Sequence, residues 1–200
     1  MAHTTNHASA RSRYEYRVWG KHRKIRKQII ELAESEAVTE EINDCYLISD
    51  DEEWNAKVRD DRLKLKHLGK EKRGFERWDS QWPEDSDATP SPWDDVYDQL
   101  RLDKPARGKN YNLSKAVKKL DDDAGVRAVF VTKQRKVYRI GNVRAEIVKI
   151  DLRDGGKRLH SIAVQGRDLK ELRALIGDLG LDAEPNVPMH VAIEQELIAS

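Results

Sequence analysis

Cationic side chains recur at every second residue in several short stretches of this chain. These are Arg13 and Arg17 around Glu15, Lys57 and Arg59, Lys64 and Lys66, and Lys133 and Arg135. Tyr14, Tyr16, Val58 and Leu65 fall between them. Successive side chains on a strand point to opposite faces, so each stretch carries one mostly cationic face. Arg and Lys bind phosphate through charge-assisted hydrogen bonds and need no metal to do so. Strands that close with those faces inward form a basic tunnel for a polyanion. In an open sheet the same charges are a solvated surface. Ser161, Ala163 and Gln165 keep the rhythm without the charge.

The elements around these stretches are legible from spacing. Tyr14–Trp19 reads as a strand, and residues 21–34 as a helix with Ile25, Ile29, Leu32 and Ala33 on one stripe. Its cationic start, from Lys21 to Lys24, opposes the helix dipole. Cys45–Ile48 reads as a short strand bounded by turn signals at Asn43-Asp44 and Asp50-Asp51. Trp54–Arg59 and Leu63–Leu68 form a hairpin, and Gly74–Trp82 a further strand. Residues 83–92 are an acidic, proline-bearing loop, followed by helical spacing at Trp93–Leu102 and Leu113–Leu120. Asp121–Asp123 lacks the further ligands of a calcium loop. Three strands follow: Val126–Thr132, Arg135–Ile140 and Val143–Asp151, the last two joined at Gly141-Asn142. Leu159–Gln165 is the closing strand. Asp168 then caps a helix that buries Leu169, Leu172, Leu175, Ile176 and Leu179 and ends at Gly180. Around eight strands with short turns make an α+β chain: an antiparallel barrel or strongly curved sheet with surrounding helices.

Composition narrows the functional classes. With 37 basic and 36 acidic residues the net charge is +1, so any basic site is local, which argues against a general nucleic-acid coat. A 38% hydrophobic and 36% charged chain has a thin core unless charges point inward as well as outward. The single cysteine, Cys45, excludes an internal disulfide, fits a reducing, cytoplasmic setting and reads as a core residue. No apolar run approaches the ~20 residues of a membrane span. Residues 1–11 read as a flexible arm without a signal core, and 12–200 as one domain.

The order of elements resembles the CYTH superfamily, the triphosphate tunnel metalloenzymes. The likeness is carried by Lys133-Gln-Arg135-Lys-Val-Tyr138, Val143-Arg-Ala-Glu146, Ser161-Ile-Ala163-Val-Gln165-Gly166 and the Asp168-Leu-Lys-Glu-Leu run. It implies an eight-stranded antiparallel tunnel in which bases hold a triphosphate and carboxylates hold Mg2+ or Mn2+. Members include triphosphatases for thiamine triphosphate, tripolyphosphate or RNA ends, and class IV adenylate cyclases. The implied phosphate ligands are Arg13, Arg17, Lys57, Arg59, Lys64, Lys66, Lys133 and Arg135. The family's Glu-x-Glu-x-Lys signature stands here as Arg13-x-Glu15-x-Arg17, and its closing Glu-x-Glu as Ala163-x-Gln165. Glu15, Glu76 and Glu146 remain as metal ligands, enough for one weak site.

The expectation is therefore binding of a nucleoside triphosphate, tripolyphosphate or other organic triphosphate, with metal-dependent catalysis weakened or lost. A nucleic acid would enter only through a 5′-triphosphate end. Two alternatives stay open. One is a divalent-metal-dependent triphosphatase, or a nucleotide cyclase, using Glu15, Glu76 and Glu146. The other is an interaction module whose tunnel is filled by its own salt bridges, Glu15 and Glu146 answering Arg17 and Arg144. His160 reads as a turn histidine. Trp54, Trp78, Trp82 and Trp93 either stack on a base or pack the wall.

Overall fold

The computed structural model describes residues 13–60, 62–80, 126–153 and 157–199. The loop expected at 83–92, the helices expected at 93–102 and 113–120, and the N-terminal arm lie outside them. Eight strands close into one antiparallel barrel in the spatial order β1-β5-β4-β3-β2-β6-β7-β8. They are β1 (Tyr14–Trp19), β2 (Val38–Ser49), β3 (Trp54–Arg59), β4 (Arg62–Lys72), β5 (Phe75–Ser80), β6 (Val126–Ile140), β7 (Val143–Leu152) and β8 (Arg158–Gly166). Among the described residues three α-helices accompany them: α1 (Arg23–Leu32), α2 (Leu169–Leu179) and α3 (Met189–Ile198). The eight-stranded antiparallel tunnel expected from the family resemblance is thus the fold of the chain.

Two expectations are corrected. Asn43-Asp44 is not a turn: β2 runs unbroken through both residues, with Asp44 opposite Arg59 on one side and Val131 on the other. The two strands expected at 126–132 and 135–140 are one 15-residue strand, because β2 pairs with it continuously from Val38↔Val137 to Ser49↔Val126. Polar residues interrupt the hydrophobic pattern there without interrupting the ladder, since inward polar groups find partners across the lumen.

Paired residues share a face, so the register sorts inside from outside. The outer face of β1, β7 and β8 carries Val18, Ala145, Ile147, Ile162 and Val164, which pack with Ile29 of α1 and Leu172, Leu175, Ile176 and Leu179 of α2. Asp168 caps α2 by accepting from the backbone N–H groups of Lys170 and Glu171, and Gly180 ends it in the left-handed region at φ 66°. Such a cap stabilises by roughly 1 kcal/mol.

The inside is divided lengthwise. One end is apolar: Ile48, Val129, Val131, Val148, Ile150, Leu152 and Leu159 meet Met189 and Ile193 of α3. That helix, for which the sequence analysis holds no expectation, closes this end of the barrel. The other end is polar and holds the charges.

The seam between β1 and β5 is short, with registered pairs at only Tyr14↔Arg77 and Glu15↔Glu76. Beyond it the C-terminal segment takes over the free edge of β1. The Arg17 N–H donates to Asn186 Oδ1, the Val187 N–H donates to the Arg17 carbonyl, and Asn186 Nδ2 donates to the Gly74 carbonyl of the β4–β5 turn.

Candidate functional site

Eight cations face the lumen and are buried or half-buried: Arg17, Lys57, Arg59, Lys64, Lys66, Lys133, Arg135 and Arg144. Against them stand five carboxylates: Glu15, Glu40, Asp44, Glu76 and Glu146. Most of them fall into two clusters, which share strands β2 and β6.

The first cluster centres on Arg17, 4% exposed. Its Nε donates to Glu15 Oε1 at 2.9 Å and one terminal nitrogen to Ser161 Oγ at 2.9 Å. The other terminal nitrogen lies 3.5 Å from Glu146 Oε2. Gln165 Nε2 donates to the second Glu15 oxygen at 2.6 Å. Glu146 also faces Arg144 at 2.8 Å and Arg135 at 3.5 Å, and Arg135 donates to Glu40. Burial by itself would raise the Glu15 carboxyl; Arg17 and then Lys66 outweigh it and hold the group below the usual range.

The second cluster centres on Asp44, whose side chain is fully buried. Arg59 donates to it through two parallel bonds of 2.6 and 2.8 Å, and Lys133 Nζ donates to its Oδ2. Lys57 Nζ stands 3.9 Å from the same oxygen. Lys57 and Lys133 each also lie 5.3 Å from the ring centre of buried Tyr46. Burial works against the Asp44 charge, and its three cationic partners reverse that, holding its carboxyl far below the normal carboxylate value. The same burial depresses both lysines to about 8.

Among the phosphate and metal ligands expected from sequence, all but Arg13 line the lumen. Arg13 is exposed just ahead of β1, where its parity puts it at the rim. Lys64 and Lys66 line the wall between the clusters without an ion pair to any described residue. Glu76 lies directly across from Glu15, and Trp78 Nε1 donates to its Oε2 at 3.0 Å. Burial first, and Glu15 further, push the Glu76 carboxyl up to about 7, against the Trp78 hydrogen bond. His160 sits on the outer face of β8. Trp54 packs against His67 with the rings tilted and centroids 4.7 Å apart, and both point outward by register. Trp82 and Trp93 lie outside the described residues. Asp44, Glu40, Arg144, Asn55 and His190 are lumen groups that the sequence reading did not name as ligands.

The metal-ligand trio does not meet around a common point suited to a divalent ion. Arg17 occupies the space between Glu15 and Glu146, and both Glu15 oxygens already accept hydrogen bonds. Among the described residues no group of three or more His, Cys, Asp or Glu side chains is arranged to hold a metal ion. In this arrangement the carboxylates fit guanidinium groups; a hard cation needs those same oxygens free.

Glu76 yields a direct test. Its folded-state value lies above its ordinary one, so the folded protein holds that proton more tightly and stability falls as pH rises from 4.5 towards 7. Urea unfolding across that range should show the decline in the parent and a flatter profile in Glu76→Gln. Equal slopes in the two proteins would show that Glu76 is not the source.

No family profile matches the sequence, and no curated protein matches it. Solved structures do. A protein from Hippeastrum, named as an adenylyl cyclase and described as having dominant triphosphatase activity, is 13% identical, with 92% of this chain and 95% of that chain covered and a TM-score of 0.49. The PH1012 protein of Pyrococcus horikoshii OT3 is 16% identical, over 84% of this chain and 90% of that one, with a TM-score of 0.45. A Bacillus halodurans protein named as an adenylate cyclase is 10% identical, over 88% and 91%, with a TM-score of 0.43. No described helix is long and apolar enough to cross a membrane.

Proposed function

We propose that the lumen binds a triphosphate- or polyphosphate-bearing anion without requiring a metal, and that metal-dependent turnover is weak or lost. The observation that carries this reading is the surplus, among the described residues, of inward cations over inward carboxylates, with Lys64 and Lys66 making no ion pair to a described residue. A polyanion can engage those lysines directly and compete with Asp44 for Arg59, Lys57 and Lys133. Little reorganisation is needed, since the bases are already gathered. The loss of the acids at positions 13, 163 and 165, together with Arg17 lying between Glu15 and Glu146, supports the weakening of metal chemistry.

Calorimetric titration with tripolyphosphate, in excess chelator and again in excess magnesium, tests this. Micromolar affinity (about 8 kcal/mol) is expected in both. Affinity seen only with magnesium, together with phosphate release lost in Glu15→Ala, would favour the metal-dependent triphosphatase instead. A second reading is favoured by one observation: Arg17, Arg59, Arg135 and Arg144 are each already paired with a carboxylate. On that reading the barrel is self-neutralised and non-catalytic, and the titration gives no heat under either condition.

A further inference from the structure

A second basic surface lies outside the barrel and shares no residue with the lumen. It begins at the turn between β1 and α1. Gly20 adopts φ 130° and His22 φ 34°, and the Gly20 N–H donates to the His160 carbonyl at 2.8 Å. A Cβ at position 20 would lie 2.9 Å from His22 Nε2, so this turn needs glycine. Lys21 is thereby held, exposed, beside the outer face of β8. On that face Lys149 stands directly across from His160, and Arg158 lies two residues before it. Burial first, then Arg26, Lys21, Lys149 and Arg158, hold the His160 imidazole below its usual range. Four cations from α1, its leading turn and two strands thus reach one ring.

Helix α1 carries the surface onward. Ile29 is buried against the barrel, so Ile30, about 100° further round the helix, points into solvent and is 54% exposed. Arg23, Arg26, Lys27, Ile30 and Glu31 line a shallow, mostly apolar furrow of about 410 Å³. Ile30 and Leu32 are two of the four large apolar side chains exposed among the described residues. Glu31 answers Lys27, and Asp151 answers Arg158. Lys21, Arg23, Arg26 and Lys149 make no ion pair to a described residue. A second copy of the chain would meet like charge here. A nucleic acid would satisfy the bases, yet none of these residues is a Phe, Tyr or Trp on which its bases could stack, and Ile30 would touch nothing. We propose that α1 and the adjoining outer face of β7 and β8 dock on an anionic lipid bilayer, lying on it without crossing it. The bases meet phospholipid headgroups, while Ile30 and Leu32 enter the interfacial layer. The helix is already packed on the barrel, so docking orders no new segment.

Flotation of the full chain with vesicles tests this, using phosphatidylcholine alone and phosphatidylcholine with about 30% phosphatidylserine. Binding to the anionic vesicles should exceed binding to the neutral ones by about tenfold or more, and should weaken as salt is raised. Arg23→Gln combined with Arg26→Gln should lower it by roughly twentyfold. Lys21→Gln combined with Lys149→Gln should cause a similar loss from other elements, so the result does not hang on the folding of one variant. Ile30→Ser should lower vesicle binding about threefold while leaving affinity for a single-stranded RNA oligonucleotide unchanged. Equal binding to neutral and anionic vesicles overturns the proposal, as does an anionic preference that both double variants retain. RNA bound more tightly than anionic vesicles, with Ile30→Ser affecting neither, makes the patch a nucleic-acid surface and overturns it too. None of these outcomes bears on the lumen, whose cations the variants leave in place.

Discussion

Asp44→Asn lowers the stability of the unliganded protein by about 3–5 kcal/mol and at the same time tightens its binding of tripolyphosphate. The parent aspartate has no exposed side-chain surface and is the only carboxylate among the described residues within ion-pair reach of Arg59, Lys57 and Lys133. Asparagine keeps the shape and one acceptor oxygen but removes the charge, so three gathered cations repel one another with nothing between them. The lysines relieve part of this by giving up protons, which their values near 8 already make easy. A polyanion then restores the missing charge. Equilibrium unfolding in urea with and without tripolyphosphate reads both effects. The ligand should recover most of the lost stability, since binding to the native state alone adds RT ln(1 + [L]/Kd). A variant as stable as the parent, or one whose deficit the anion leaves untouched, would remove Asp44 from its place as internal counter-ion.

The acid limb of the parent follows from the same residue. Its folded-state value is depressed, so its contribution is complete above its ordinary value of 3.8 and is lost as pH falls further, through the folded value. Acid unfolding that starts below about pH 4 in the parent should be blunted in Asp44→Asn.

Proton uptake accompanies anion binding near pH 8.5, and affinity for tripolyphosphate falls roughly a hundredfold between pH 7.5 and 9.5. The reason is that Lys57 and Lys133 are held at about 8 by burial, so in the free protein at that pH they are mostly neutral. A bound anion favours their charged forms and draws about one and a half protons from solution. Titrations in buffers of different ionisation enthalpy measure this directly. Lys57→Met should halve the uptake. Lys64→Met should weaken binding while leaving the uptake in place. Binding heats independent of buffer would show that neither buried lysine changes its charge. The free protein carries the opposite sign: its depressed lysines make stability rise with pH between about 8 and 10.5, because the unfolded chain then holds more protons.

Which cations share a face was legible from alternation, because period-two patterning encodes it, whereas closure of the sheet into a barrel came from the order of elements and the resemblance it carries. Lys57, Arg59, Lys64, Lys66, Lys133 and Arg135 all fall on the lumen side for that reason. Asp44 was hidden by the same physics. An acid beside asparagine reads as a turn because its usual partner is water, and only the register shows three cations waiting for it across two strands. In retrospect Glu40, Ile42, Asp44, Tyr46 and Ile48 keep one parity while Cys45 and Leu47 keep the other, which was the available signal. His190 was beyond reach. It belongs to a ten-residue helix after Pro188 whose role appears only once the barrel end it fills is known.

The stitching of β1 by residues 186–187 has a consequence for the order in which the molecule can be made. One edge of β1 awaits β8 and the other awaits residues 186–187, both far along the chain from it. Such long-range closure is intrinsically slow. Arg17, whose backbone that segment clasps, therefore takes its final place only once residues 186–187 have been made. Until residues 186–187 arrive, the sheet keeps an unpaired edge at β1, and the chamber around Arg17 is incomplete.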